Sequence, residues 1–253
     1  MLLHAIDTGA GPRTAVLLHG LMGSAESWWR ILPLLTDRGY RVLALDLPGH
    51  GLSPRDPYLT IERAAAAVAE TVQMIAPGAT IDAIGHSYGA TVLAAAASRL
   101  RPDLAVYVDA SLFLAGGGDR AALTADYARD RLARMSPEAL RQSRPFYSET
   151  DAEVEARAAE RFDPATSASI SCGSDASWEA APGSIVIRAD PSAWVGDADA
   201  RRFEDGGVSV RSIPGAAHTV WYSHFREFTA ALPEMFGDGA REGIGASGSK
   251  APG

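Results

Sequence analysis

Ile84-Gly85-His86-Ser87-Tyr88-Gly89-Ala90 sets one serine between two glycines, directly after the apolar run Thr80-Ile81-Asp82-Ala83-Ile84. A serine hydroxyl is a poor nucleophile at neutral pH and becomes useful when a base takes its proton and its oxygen stands clear of the backbone. The G-x-S-x-G spacing supplies the second condition. A strand ends, the chain turns sharply through the serine, and a helix begins at once, leaving the hydroxyl at the apex. Such a turn strains the serine and crowds the positions two before and two after it, where Gly85 and Gly89 carry no side chain. The flanks agree: ATIDAI (79–84) reads as a short buried strand, and ATVLAAAASRL (90–100) is a strong helix former closed by Arg101-Pro102. Ser87 is therefore a candidate nucleophile, set against the plainer reading of a turn residue in a glycine-rich chain.

Outward from this turn, strands and helices alternate. LLHAIDTG (2–9) alternates like a half-exposed strand, and TAVLLHG (14–20) is a continuous apolar run that suits a parallel strand buried on both faces. SAESWWRILPLLTDRG (24–39) carries helix boundary signals at both ends; YRVLALDLPGHG (40–51) is the next strand and loop, and TIERAAAAVAETVQMIA (60–76) is an amphipathic helix. LAVYVDAS (104–111) continues the sheet. The rhythm then breaks: 112–183 holds helical stretches at 118–135, 136–147 and 151–162 and no convincing strand. Strands resume with SIVIRAD (184–190) and VSVRSIPG (208–215), and SHFREFTAALPEMF (223–236) reads as a final helix. The pattern predicts an α/β fold, a doubly wound and mostly parallel sheet, with a helical insertion. The core is expected over 1–111 and 184–236, the insertion over 112–183, and a flexible glycine-, alanine- and serine-rich tail over 237–253.

Composition narrows the function classes. At 253 residues the chain suits one α/β domain, and 47% hydrophobic with 21% charged residues is ordinary globular composition. The balance of 31 acidic against 23 basic residues, a formal charge of -8, argues against a nucleic-acid surface. Cys172 is the only cysteine, so neither an intrachain disulfide nor a cysteine-rich metal site can form. The first residues lack a charged leader followed by a long apolar core, and no apolar run approaches the length of a membrane span. A soluble, cytoplasmic protein without a membrane partner is the expectation.

Four stretches in order, LLHGLMGSAESW (17–28), LDLPGHGLS (45–53), IGHSYGA (84–90) and IPGAAH (213–218), resemble the α/β-hydrolase family. The likeness covers nearly everything from Leu3 to Phe236. It implies that the backbone amides of Leu21 and Tyr88 form the oxyanion hole, that His19 braces a loop, and that Asp46, His50 and Ser53 are structural. It also implies that His218, after the last strand, is the base, with His224 a packing or surface residue inside the final helix. The acid departs from the family pattern, because Ser192 stands where the aspartate is expected; Asp190 lies two residues early and Asp197 several residues late. Some relatives carry the acid one strand earlier, a position held here by Asp109, and Asp109 is preferred with Asp190 as the alternative.

By resemblance the chain would hydrolyse a carboxylic ester or lactone through an acyl-enzyme, with no metal or organic cofactor. A thioesterase, a carbon-carbon bond hydrolase or a slow-turnover small-molecule receptor on the same fold are the alternatives. The insertion would cap the site and open for product release. Trp28, Phe113, Phe146, Trp178 and Trp221 are expected to line an apolar pocket, with Trp29 and Tyr147 as further aromatics and core packing as the plain alternative for each.

Overall fold

The computed structural model describes residues 1–237. Apart from Gly237, the tail expected over 237–253 lies outside the described residues. The main sheet has seven strands: β1 (Ala5–Thr8), β2 (Arg13–Leu18), β3 (Tyr40–Leu45), β4 (Thr80–His86), β5 (Leu104–Val108), and, beyond a two-stranded insertion pair β6 (Phe113–Leu114) and β7 (Ala176–Ser177), β8 (Ile185–Asp190) and β9 (Ser209–Pro214). Their spatial order is β1-β3-β2-β4-β5-β8-β9, with only β1 antiparallel. The apolar runs become the central strands because both faces are covered: one core layer gathers Val16, Leu18, Leu43 and Val68, the other Leu17, Ile84, Val106 and Trp221.

Helices α1 (Leu32–Asp37), α2 (Ile61–Ile75) and α3 (Tyr88–Leu100) connect the first half of the sheet. The insertion between β5 and β8 contributes α4 (Arg120–Arg134), α5 (Pro137–Ser143), α6 (Glu149–Arg161) and α7 (Pro164–Ile170), and the chain closes with α8 (Asp197–Asp205), α9 (Val220–Ser223), α10 (Phe225–Ala230) and α11 (Pro233–Phe236). Cap signals set these starts: Thr60 accepts from the Arg63 amide, Asp119 from Ala122, Ser148 from Asp151 and Asp163 from Thr166. Among the described residues no helix is long and apolar enough to cross a membrane.

Three expectations are corrected. The segment expected to lack strands contains β6 and β7, which pair antiparallel through Phe113 with Ser177 and Leu114 with Ala176; two residues are too few for alternation to register. The stretch 24–39 divides into a 3₁₀ turn, Ala25–Trp28, and the short α1, which starts with Pro33 in its first turn. The final helix is three pieces, α9 to α11, with His224 at the joint of α9 and α10 and Pro233 opening α11.

Polar contacts tie α6 to the core. Ser27 donates to Glu155 at 2.7 Å and Trp29 Nε1 to Asp151 at 3.1 Å, Arg30 pairs with Asp151, and Arg157 and Arg161 both reach Glu26.

Candidate active site

Strand β4 delivers its end to the middle of the sheet, and the chain reverses into α3 through Ser87 at φ 51°, ψ -119°. A non-glycine residue in this region is strained, and here neighbouring structure holds it: the Ser87 amide donates to the Val108 carbonyl at 2.9 Å. The flanking glycines are sterically required. A Cβ on Gly85 would lie 2.5 Å from the Gly89 carbonyl oxygen, and one on Gly89 would lie 2.4 Å from that of Leu18.

The next strand supplies a carboxylate. Asp109 follows the last residue of β5, is 1% exposed, and adopts φ 48°. Its Oδ2 lies 2.7 Å from Nδ1 of His218, which the loop after β9 carries to the same sheet edge. Its Oδ1 accepts from the Ala189 amide at 3.1 Å and the Ser192 hydroxyl at 2.7 Å. Asp190, the alternative acid, turns elsewhere: it is 44% exposed and sits 3.9 Å from Arg188, so it is no partner of His218. The site brings together Ser87, His218 and Asp109 and leaves Asp190 out.

His86, beside the serine, donates from Nε2 to the His218 carbonyl at 2.9 Å, while its ring meets Trp221 edge-on at 4.9 Å. Burial, then the neighbouring His218, pushes its pKa well below the ordinary histidine value, so the ring is neutral and works as a fixed donor that braces the His218 loop. His19 behaves as a brace too: fully buried, it donates from Nδ1 to the Gly20 carbonyl at 2.8 Å and accepts the Leu47 amide at 2.9 Å. Asp46 accepts from the amides of Ala25 and Leu52 and, with Ser53 and His50, builds the loop after β3. Leu21, in the braced turn, has an amide that donates no hydrogen bond among the described residues, and the Tyr88 amide is the first of α3, with no carbonyl four residues back inside the helix.

A cavity of about 700 Å³ opens over these groups, a volume in the usual range for small-molecule sites. Leu21, Ser87, Tyr88 and His218 line it together with Phe113, Phe146 and Trp221. Two expected pocket residues are corrected. Trp28 is fully buried and stacks on Trp221 at 4.3 Å without bordering the cavity; Trp178 packs against the sheet core, its amide bonded to the Leu112 carbonyl, and does not border it either.

Sequence reasoning missed two features. Trp194 is half exposed, borders the cavity and lies 5.2 Å from the His218 ring; an aromatic two residues beyond Ser192 was the readable signal. Arg134 and Glu155 also border the cavity, paired at 3.0 Å, with Glu155 taking further hydrogen bonds from Ser27 and the Tyr222 hydroxyl. Nothing in the spacing of a charged helix told which of its faces would meet a cavity.

Residues 15–232 match the alpha/beta hydrolase family, and the chain belongs to that family. It is similar to "Probable esterase PIR7A" of Oryza sativa subsp. indica, 27% identical over 145 residues, covering 56% of this chain and 54% of that protein. It is also similar to the pimeloyl-[acyl-carrier protein] methyl ester esterase of Methylococcus capsulatus, 41% identical over 95 residues, covering 38% and 34%. The chain thus spans about half or less of the length of these relatives. Among solved structures, a bromoperoxidase from Bacillus anthracis superposes with a TM-score of 0.74 at 22% identity, covering 93% of this chain and 95% of the other, a likeness that carries the fold.

Proposed function

We propose that this protein is a serine hydrolase of carboxylic esters, lactones included, working through Ser87, His218 and Asp109. The observation that carries the reading is the 2.7 Å contact between a buried Asp109 and His218, which lines the same cavity as a serine held at φ 51°. Ser87 Oγ attacks the carbonyl carbon as its proton passes to His218 Nε2, and the new oxyanion takes hydrogen bonds from the Leu21 and Tyr88 amides. Asp109 holds the Nδ1–H tautomer and stabilises the imidazolium. The carbon-oxygen bond then breaks, His218 protonates the leaving alcohol, and water attacks the acyl-enzyme by the same proton route to release the acid and free Ser87. The names of the esterase relatives support the ester as substrate. The insertion, 112–183, acts as the cap that shapes the cavity.

The test is labelling with a fluorophosphonate, which should place one adduct on Ser87 and abolish turnover of p-nitrophenyl esters. Ser87→Ala should fold normally and drop to near background. An adduct on another serine, or a folded Ser87→Ala variant with most of its activity, defeats the proposal.

A further inference from the structure

Ser192 occupies the place where the resemblance leads one to expect the acid, and its hydrogen bonds point back to the acid this chain carries elsewhere. Its Oγ accepts the amides of Trp194 at 3.0 Å and Val195 at 2.9 Å and lies 2.7 Å from Asp109 Oδ1. A serine hydroxyl has one proton and two lone pairs. Both lone pairs are taken by backbone N–H groups, so the proton has one direction left, toward the carboxylate. With the Ala189 amide at 3.1 Å, Oδ1 holds two donors, and Oδ2 is left to His218 alone.

From this geometry, and resting on the triad reading above, we infer that Ser192 is the positioning residue of the acid: it fixes the rotation of the Asp109 carboxylate so that Oδ2 meets His218 Nδ1. Without its hydroxyl the buried carboxylate keeps only the Ala189 amide on Oδ1 and can turn about its terminal torsion, while the His218 contact depends on that angle. The same segment carries Trp194, whose ring lies 5.2 Å from His218, so acid and base are both held by residues 192–195.

A serine that merely closes the local turn through the Trp194 and Val195 amides would affect stability, not the histidine. The discriminating experiment is a double-mutant cycle on p-nitrophenyl acetate. Ser192→Ala should lower kcat about 10-fold, the usual worth of a hydrogen bond to a buried charge, with KM little changed. Ser192→Thr, which keeps the hydroxyl, should recover most of the rate. In an Asp109→Asn background, Ser192→Ala should change kcat hardly at all, because the group it orients has lost its function. Equal loss in both backgrounds, or a lowered Tm with unchanged kcat, overturns the assignment. Full activity of Asp109→Asn alone would instead remove the triad reading on which it rests, a result separable from additive losses.

Discussion

At the residue scale the acid is the instructive case. That Ser87 and His218 come to one cavity was legible in sequence because each sits in a stretch whose spacing has a mechanical reason, the glycine-flanked turn and the loop after the last strand. The proposed acid was only half legible. Asp109 follows β5 and Asp190 ends its neighbour β8, and which of them meets His218 depends on a side-chain direction that one-dimensional spacing does not carry. In the structure Asp109 is buried against His218 and the Ala189 amide, whereas Asp190 faces Arg188 and solvent. The expected outcome follows from the proposed role. Asp109→Asn should lower kcat by roughly 10⁴, as loss of the tautomer-fixing acid does in such triads, with the fold retained. Asp190→Asn removes a half-exposed group with a distant partner and should cost less than about 3-fold. Steady-state rates on one ester decide it, and the reverse ranking would return the acid to the later strand.

Element-scale reading succeeded where periodicity ran long and failed where it ran short or had to name a facing partner. The central strands and α2 and α3 were plain in sequence, but the stretch 24–39 yields only a 3₁₀ turn and a short α1 with Pro33 in its first turn, the closing helix divides at His224 and Pro233, and β6 and β7 are too brief to show a period. The aromatics show the same limit: Phe146 borders the cavity, whereas Trp178 does not, though both lie in the insertion. Phe146→Ala should therefore raise KM for long acyl chains about 5-fold, the effect of roughly 1 kcal/mol of lost apolar contact, while acetyl esters change little. Trp178→Ala should lower Tm and leave the chain-length profile as it is. An unchanged profile in Phe146→Ala would move the acyl site to another wall. The expectation that the insertion opens as a cap meets a fixed element in α6, which Ser27, Trp29, Arg30 and Glu26 bond to the core.

Across the whole molecule, three buried histidines couple the fold to pH. His50 meets His19, Tyr88 and, in the insertion, Phe162, at 5.0, 5.8 and 5.0 Å, while His86, the last residue of β4, packs against His218 and Trp221. Burial lowers the pKa of each, that of His50 from 6.5 to about 3. The folded state keeps these rings neutral where the unfolded chain takes up protons, so below pH 6.5 the unfolded state binds more protons and stability falls as the pH falls. For His50 the window runs from about 6.5 down to about 3, and a fully linked histidine contributes a slope approaching about 1.4 kcal/mol per pH unit. Between pH 6 and 5 most carboxylates of ordinary pKa are still ionised, so histidine dominates the slope there. Urea unfolding at several pH values across that interval should give a steep loss of stability in the parent protein. In His50→Gln the slope should be shallower by close to one proton, whatever the substitution does to stability at pH 7. Parallel slopes for the two proteins would mean that His50 takes up its proton in the folded state, and that the junction between core and insertion is wetter than its packing indicates.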